Sequence, residues 1–303
     1  MNTIYTDSSF TDDKRRAALY GGQLFSYSNR ASILALCDFA AEMVREAFHP
    51  LDPLTAQFEM PVEQFVAIFG PLKPKFIHHP RTKEIIRNVL SDFGCDLDDT
   101  YQDVPRLRAV TSDAYLTSGV GYAHHLHRDT WYSAPMQQIN WWLPIFEMAS
   151  DSSMAFHPRY WSEPVKNGSN EFNYYEWNST GRASASQHIK SDTRKQPKPE
   201  QPMELDPQVR IVPEPGGVIL FSAAQMHSTV PNTSGRTRFS IDFRTVHIGD
   251  IKANFAPHNI DSKCTGTSLR DFLKARDLSP MPEDVVTILE PESVGEGVLV
   301  YKP

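Results

Sequence analysis

The triplet His127-Arg128-Asp129 puts an imidazole and a carboxylate two residues apart. On an extended strand residues i and i+2 leave the same face, so both side chains would point one way. A second imidazole from a distant strand, His227, 98 residues beyond Asp129, would complete two nitrogens and one oxygen on one side of a cation. Such a facial triad leaves coordination positions open and suits non-haem Fe(II) working with O2. The competing reading is a surface His127 and a packed His227. His124 and His125 crowd the proximal position, but only His127 of the three has a carboxylate two residues on. Trp131 and Tyr132 follow the proximal pair closely enough to face a substrate.

Positioning these groups requires strands. Arg238 to Val246 alternates cleanly, with Phe239, Ile241 and Phe243 on one face and Arg238, Ser240, Asp242 and Arg244 on the other. Leu107–Leu116, Met136–Ile145, Ser153–His157, Val209–Val212 and Gly217–Phe221 read as further short strands, the last two split by Pro213-Glu214-Pro215-Gly216. Ahead of them, Ala31–Phe48 carries an apolar stripe at helical spacing and stops before Pro50 and Pro53. Val62–Phe69 and Arg81–Phe93 repeat the helical pattern, and a short helix after Ser268 and a β-prone GVLVYKP end the chain. Short strands with Gly/Pro turns behind a helical layer predict a mainly β fold with flanking helices, a double-stranded β-helix or jelly roll. We expect one domain over 1–303, with an N-terminal helical layer (1–104), a core (105–247) and a C-terminal extension (248–303). Residues 161–208, rich in Asn, Ser, Gly, Pro and charge, interrupt the core, and their aromatics suggest a lid over a pocket.

Composition narrows the class. A chain of 303 residues with 40% hydrophobic and 22% charged residues is of ordinary globular make-up, and a net charge of −7 leaves no basic footprint for nucleic acid. Cys37, Cys95 and Cys264 form neither a zinc pair nor a disulfide framework, so a reducing cytoplasm is expected. The polar N-terminus has no apolar signal segment, and no apolar run is long enough for a membrane span. Oligomeric state is not legible.

Read in order, His127-Arg128-Asp129, INWWLPI, DSSMAFHP, PGGVILF and HSTVPNTSGRTRFS resemble the phytanoyl-CoA dioxygenase-like branch of the Fe(II)/2-oxoglutarate-dependent oxygenases. The resemblance covers about residues 105–247. It departs at Pro158-Arg159-Tyr160-Trp161, where the branch has Pro-Gly-Ser/Thr-His, and at Gly216-Gly217, which lacks the usual aspartate. The resemblance implies Fe(II) on His127, Asp129 and His227, with 2-oxoglutarate and O2 as co-substrates. It places Arg238 at the distal carboxylate of 2-oxoglutarate, where a guanidinium offers two parallel donors. Arg236 in the same loop is the alternative. Thr229 would share a face with His227 and add a hydroxyl, unless that hydroxyl closes a local turn. Trp142 matches the strand tryptophan of the branch and would wall the co-substrate pocket with Asn140, although Trp141 competes for the inward position.

Arg244, inward but not needed for 2-oxoglutarate, suggests an acidic group on the substrate, or else a partner for Asp242. In related halogenases the Asp129 position is Gly or Ala, so the carboxylate here points to hydroxylation, desaturation or ring formation. The leading expectation is an oxygenase acting on a small molecule, a specialised metabolite or amino-acid-like compound. An acyl-CoA or protein side-chain hydroxylase, and a non-catalytic jelly roll that binds a ligand, are the alternatives.

Overall fold

The computed structural model describes residues 3–118, 125–181 and 196–290. In chain order the elements open with β1 (Ile4–Thr6), α1 (Asp12–Tyr20), β2 (Leu24–Tyr27), α2 (Ala31–Phe48), α3 (Val62–His78), α4 (Pro80–Asp92), β3 (Thr100–Gln102) and β4 (Arg106–Val110). They continue with β5 (Ile139–Pro144), β6 (Met154–Phe156), α5 (Tyr174–Glu176), β7 (Val209–Ile211), β8 (Val218–Ser222), β9 (His227–Thr229), β10 (Arg238–His247), α6 (Ile248–Lys252), β11 (Leu273–Lys274) and α7 (Glu283–Leu289). The major sheet runs β1-β2-β8-β5-β10-β3-β11, with β4 also paired to β10. The minor sheet runs β7-β6-β9. The architecture is mainly β with flanking helices.

Strand periodicity divides the interior into two compartments. Phe239, Ile241 and Phe243 of β10, with Ile139, Trp141 and Leu143 of β5, join the large core shared with α2, α3 and α4. Burying side chains of this size stabilises by about 1.5–3 kcal/mol each relative to exposure. The alternate residues face the minor sheet. Trp142, Ile219 and Phe221 pack there against Met154 and Phe156, with the Phe156 and Phe221 rings 5.0 Å apart. One pleat thus supplies a dry helical interface on one side and a pocket wall on the other.

Several expectations need correction. Helix α3 does not stop at Phe69 but runs through Pro71 and Pro74 to His78, because Leu72, Phe76 and Ile77 are buried along its continuation. Tertiary burial there outweighs the hydrogen bonds the two prolines cannot donate. The N-terminal portion is not purely helical, since β1, β2 and β3 all join the major sheet. Ser268 opens a short 3-10 turn, Ser268–Asp271, whose N-cap is Thr267. The terminal GVLVYKP lies outside the described residues, as do Gly119, Gly121, His124 and residues 182–195 of the insert. Among the described residues, no helix is long and apolar enough to cross a membrane.

Candidate metal centre

His127 and His227 are brought together by the backbone itself. Each N–H donates to the other's carbonyl at 3.0 Å, a single antiparallel bridge that puts the ring centroids 4.3 Å apart. Asp129 follows differently from the strand expectation. Arg128 is extended, but Asp129 opens a 3-10 turn, Asp129–Tyr132, its N–H held by the Ala223 carbonyl at 3.0 Å. The two side chains still converge, with Asp129 Oδ1 3.2 Å from His127 Nε2 and 3.8 Å from His227 Nε2. Among the described residues these form the group of three His/Asp ligand atoms lying within 4.8 Å of one another.

The surroundings of the triad fit a cation. His127 Nδ1 lies 2.6 Å from the His125 carbonyl and His227 Nδ1 2.9 Å from the Gln225 carbonyl. A carbonyl only accepts, so each ring hydrogen sits on Nδ1 and each Nε2 lone pair faces Asp129. The second carboxylate oxygen, Oδ2, accepts from Asn140 Nδ2 at 2.8 Å and Gln138 Nε2 at 3.1 Å, leaving Oδ1 for the centre. Burial, with the neighbouring His127, pushes His227 down to about 3, so its imidazole is neutral. Burial alone would raise the Asp129 carboxyl, yet the adjacent imidazoles and the Arg244 charge hold it well below its usual value. Two imidazole nitrogens and one carboxylate oxygen, converging within 4.8 Å of one another, are a donor set for a divalent ion.

The pocket in front of the triad holds about 600 Å3 of empty space, the open solvent at its mouth included. Met154, Phe221, Thr229 and Trp142 line it together with the triad and Arg238. Arg238 is 7% exposed and donates from Nη1 to the Ser152 carbonyl at 3.0 Å, but its Nε is buried without a partner. Its guanidinium carbon stands 5.3 Å from the Trp142 ring centre. Among the described residues no carboxylate forms an ion pair with it, and burial pulls it down to about 10. A desolvated cation with an orphaned donor is a costly arrangement unless an anion completes it.

The remaining sequence candidates separate. Trp142 and Thr229 line the pocket, as does Trp141, whose ring belongs to the helical core while that of Trp142 packs against Met154 and Phe156. Asn140 also lines the pocket, and its Nδ2 donates to Asp129 Oδ2. Trp131 does not line this pocket. It is fully buried beside Tyr160, Val165 and Met226, and its Nε1 donates to Asp261 Oδ1 at 2.8 Å. The 3-10 turn breaks the period-two pattern there and swings the indole to the far side. Tyr132 packs edge-on to His127 at 5.5 Å and donates to the Pro197 carbonyl at 3.3 Å, and it does not line this pocket. Arg244 is not free for an acid. It pairs with Asp103 at 3.1 Å and Asp242 at 3.5 Å, carboxylates that hold it above its ordinary value despite burial.

Gln138, Asp103 and Arg108 were not singled out by the sequence. The period-two relation of Gln138 to Asn140 was the available signal for the first. Arg108 holds Asp242 with two nitrogens, Nε to Oδ1 at 2.6 Å and Nη2 to Oδ2 at 3.2 Å. Burial would raise the Asp242 carboxyl, but Arg108 and Arg244 hold it at about 2. A carboxyl whose folded value is depressed contributes stability above its unfolded value, near 4, and loses it as pH falls toward 2. Asp242→Asn should therefore destabilise the protein at pH 6 by on the order of 2 kcal/mol and flatten the acid limb of its stability curve between pH 4 and 2. Urea unfolding across that range reads both.

No family model and no curated protein matches the sequence. Similar solved structures include the non-haem α-ketoglutarate-dependent epimerase SnoN from nogalamycin biosynthesis, at 14% identity and TM-score 0.39, covering 78% of this chain and 82% of that one. The non-haem α-ketoglutarate-dependent carbocyclase SnoK from the same biosynthesis matches at 10% identity and TM-score 0.39, covering 79% and 85%. EvdO2 from Micromonospora carbonacea var. aurantiaca matches at 13% identity and TM-score 0.35, over 62% of this chain and 64% of its own length. The chain thus spans under two thirds of EvdO2. All three TM-scores lie below 0.5, so the functional reading is carried by the site's own geometry.

Proposed function

We propose that the protein is an Fe(II)- and 2-oxoglutarate-dependent oxygenase of the double-stranded β-helix kind, acting on an unactivated C–H bond of a small molecule. The single observation that carries the reading is the pairing of the His127, Asp129 and His227 triad with an unmatched buried guanidinium, Arg238, in the same pocket. A linear dicarboxylate has acidic groups at both ends, which is what those two poles would take. When bound, Fe(II) with 2-oxoglutarate and O2 supplies oxidative decarboxylation of the keto acid to succinate and CO2, and with it the power to break a C–H bond. The ordered motifs resemble the phytanoyl-CoA dioxygenase-like branch of such oxygenases. Free Cys37, Cys95 and Cys264 accord with work in a reducing cytoplasm.

In this reading each residue has a defined task. His127 and His227 present their Nε2 atoms, their rings held at Nδ1 by backbone carbonyls. Gln138 and Asn140 hold one oxygen of Asp129 so that the other stays on the metal. Arg238, held against the Trp142 ring, receives the distal carboxylate, and Thr229 stands beside the path between. Met154, Phe221 and Trp142 exclude water from the co-substrate chain. Hydroxylation of the substrate is the plainest outcome, with desaturation or ring closure as variants.

Anaerobic addition of Fe(II) and 2-oxoglutarate to the apoprotein tests this directly. A weak visible charge-transfer band should appear only when both are present, and should be absent in His127→Ala. A wild-type protein that gives no band with both ligands in excess is not an oxygenase of this type.

A further inference from the structure

Five charged side chains form an alternating row along the β3, β4 and β10 side of the pocket: Arg106, Asp103, Arg244, Asp242 and Arg108. Arg106 pairs with Asp103, Arg244 bridges Asp103 and Asp242, and Arg108 closes the row on Asp242. Three cations share two anions, so the row carries one surplus positive charge. Arg108, Asp242 and Arg244 all line the same pocket as the triad.

The surplus is most available at Arg108. Its Nε and Nη2 are taken by Asp242, while Nη1 makes no hydrogen bond among the described residues. The side chain is 24% exposed, enough to meet a ligand without being a free surface group. The co-substrate does not account for this charge. Its two acidic ends have the metal and Arg238 to meet, and two nitrogens of the Arg108 guanidinium are held on Asp242. In the strand register Arg108 lies opposite Ser240, and Asp242 is the next inward residue of β10 beyond it.

We propose that the substrate is a carboxylate-bearing small molecule whose acid group docks on Arg108 Nη1, with the Arg244–Asp103 pair fixing the row behind it. The inference deepens the oxygenase reading and rests on it. It moves the acid-binding role from Arg244, which stands between two carboxylates, to the pocket-lining end of the row, where Arg108 has only one. A neutral or cationic substrate would leave an excess positive charge in a partly desolvated wall.

The test uses the full chain loaded with Mn(II) and saturating 2-oxoglutarate, with propionate as probe because it is small enough to enter whatever the natural substrate's shape. Paramagnetic broadening of its methyl proton signal reports approach to the metal and nothing bound elsewhere on the surface. Broadening should saturate with propionate and be about tenfold weaker in apparent affinity for propionamide, which keeps the shape and loses the charge. Arg108→Gln should lose that preference, and Arg108→Lys should retain part of it, which separates loss of charge from loss of fold.

Equal behaviour of acid and amide in the wild type, or an unchanged preference in Arg108→Gln, overturns the proposal. So does an Arg108→Gln variant that loses 2-oxoglutarate affinity as steeply as propionate, since Arg108 would then belong to the co-substrate. Failure of the wild type to bind 2-oxoglutarate with Mn(II) would bring down the oxygenase reading itself, and this proposal with it.

Discussion

Asp129→Ala is expected to lower affinity for Mn(II) or Fe(II) by about a hundredfold or more, and to reduce succinate formation to background. Supporting residues behind a ligand are worth about 10–100-fold in affinity, and a ligand itself should cost at least that. Asp129 is the sole anion among the three metal-facing groups, and its Oδ1 lies within 3.8 Å of both Nε2 atoms. Removing it leaves two neutral imidazoles, which hold a divalent ion weakly. It also strands the amides of Gln138 and Asn140, which both donate to Oδ2. A stranded buried donor costs about 1–3 kcal/mol, so the apoprotein should lose stability as well. Mn(II) titration by electron paramagnetic resonance and denaturant unfolding measure the two effects separately. A variant that binds Mn(II) like the wild type would remove Asp129 from the centre.

Arg238→Met makes a contrasting forecast. Its 2-oxoglutarate dissociation constant should rise by about a hundredfold, the loss of a buried charge-assisted pair worth some 2–5 kcal/mol. The apoprotein should be no less stable than wild type, and more stable if anything. Arg238 is buried with one hydrogen bond to a carbonyl and an orphaned Nε, so its desolvation is not repaid until an anion arrives. A methionine of similar reach fills the space beside Trp142 without that cost. Thermal unfolding with and without Mn(II) and 2-oxoglutarate distinguishes the two parts. The wild type should gain stability from the ligands, and the variant should start no lower and gain little. If Arg238→Met instead lowers apoprotein stability by several kcal/mol, the arginine is a structural element of the fold and the co-substrate assignment fails.

Regular local patterns carried much of the architecture. The helix predicted at Ala31–Phe48 forms over those residues, and the alternation in β10 divides core from pocket as its period requires. Period-two spacing also selected Trp142 over Trp141 once the inward face was known. These features are local: the side chains that declare them sit within a few bonds of one another, and the pleat or helical turn does the sorting. The convergence of His127 with His227 could be named as a possibility from residue types. It became a distance only through the mutual backbone bridge between them.

Elsewhere tertiary neighbours decided. Trp131 has no local signal of its fate, because the carboxylate that takes its indole, Asp261, is 130 positions away in the chain. Arg244 looked free for the same reason: Asp103 enters its surroundings only because β3 happens to pair beside it on β10. Helix α3 passes two prolines because buried Leu72 and Phe76 outweigh what local propensity would dictate. Residue types and their periods told which atoms could do chemistry and which face they would leave from. Which charges were already matched, and therefore which guanidinium was left for a ligand, followed from strand pairing. Ion pairs form between groups that the fold makes adjacent, and that adjacency is not written in any local stretch of chain.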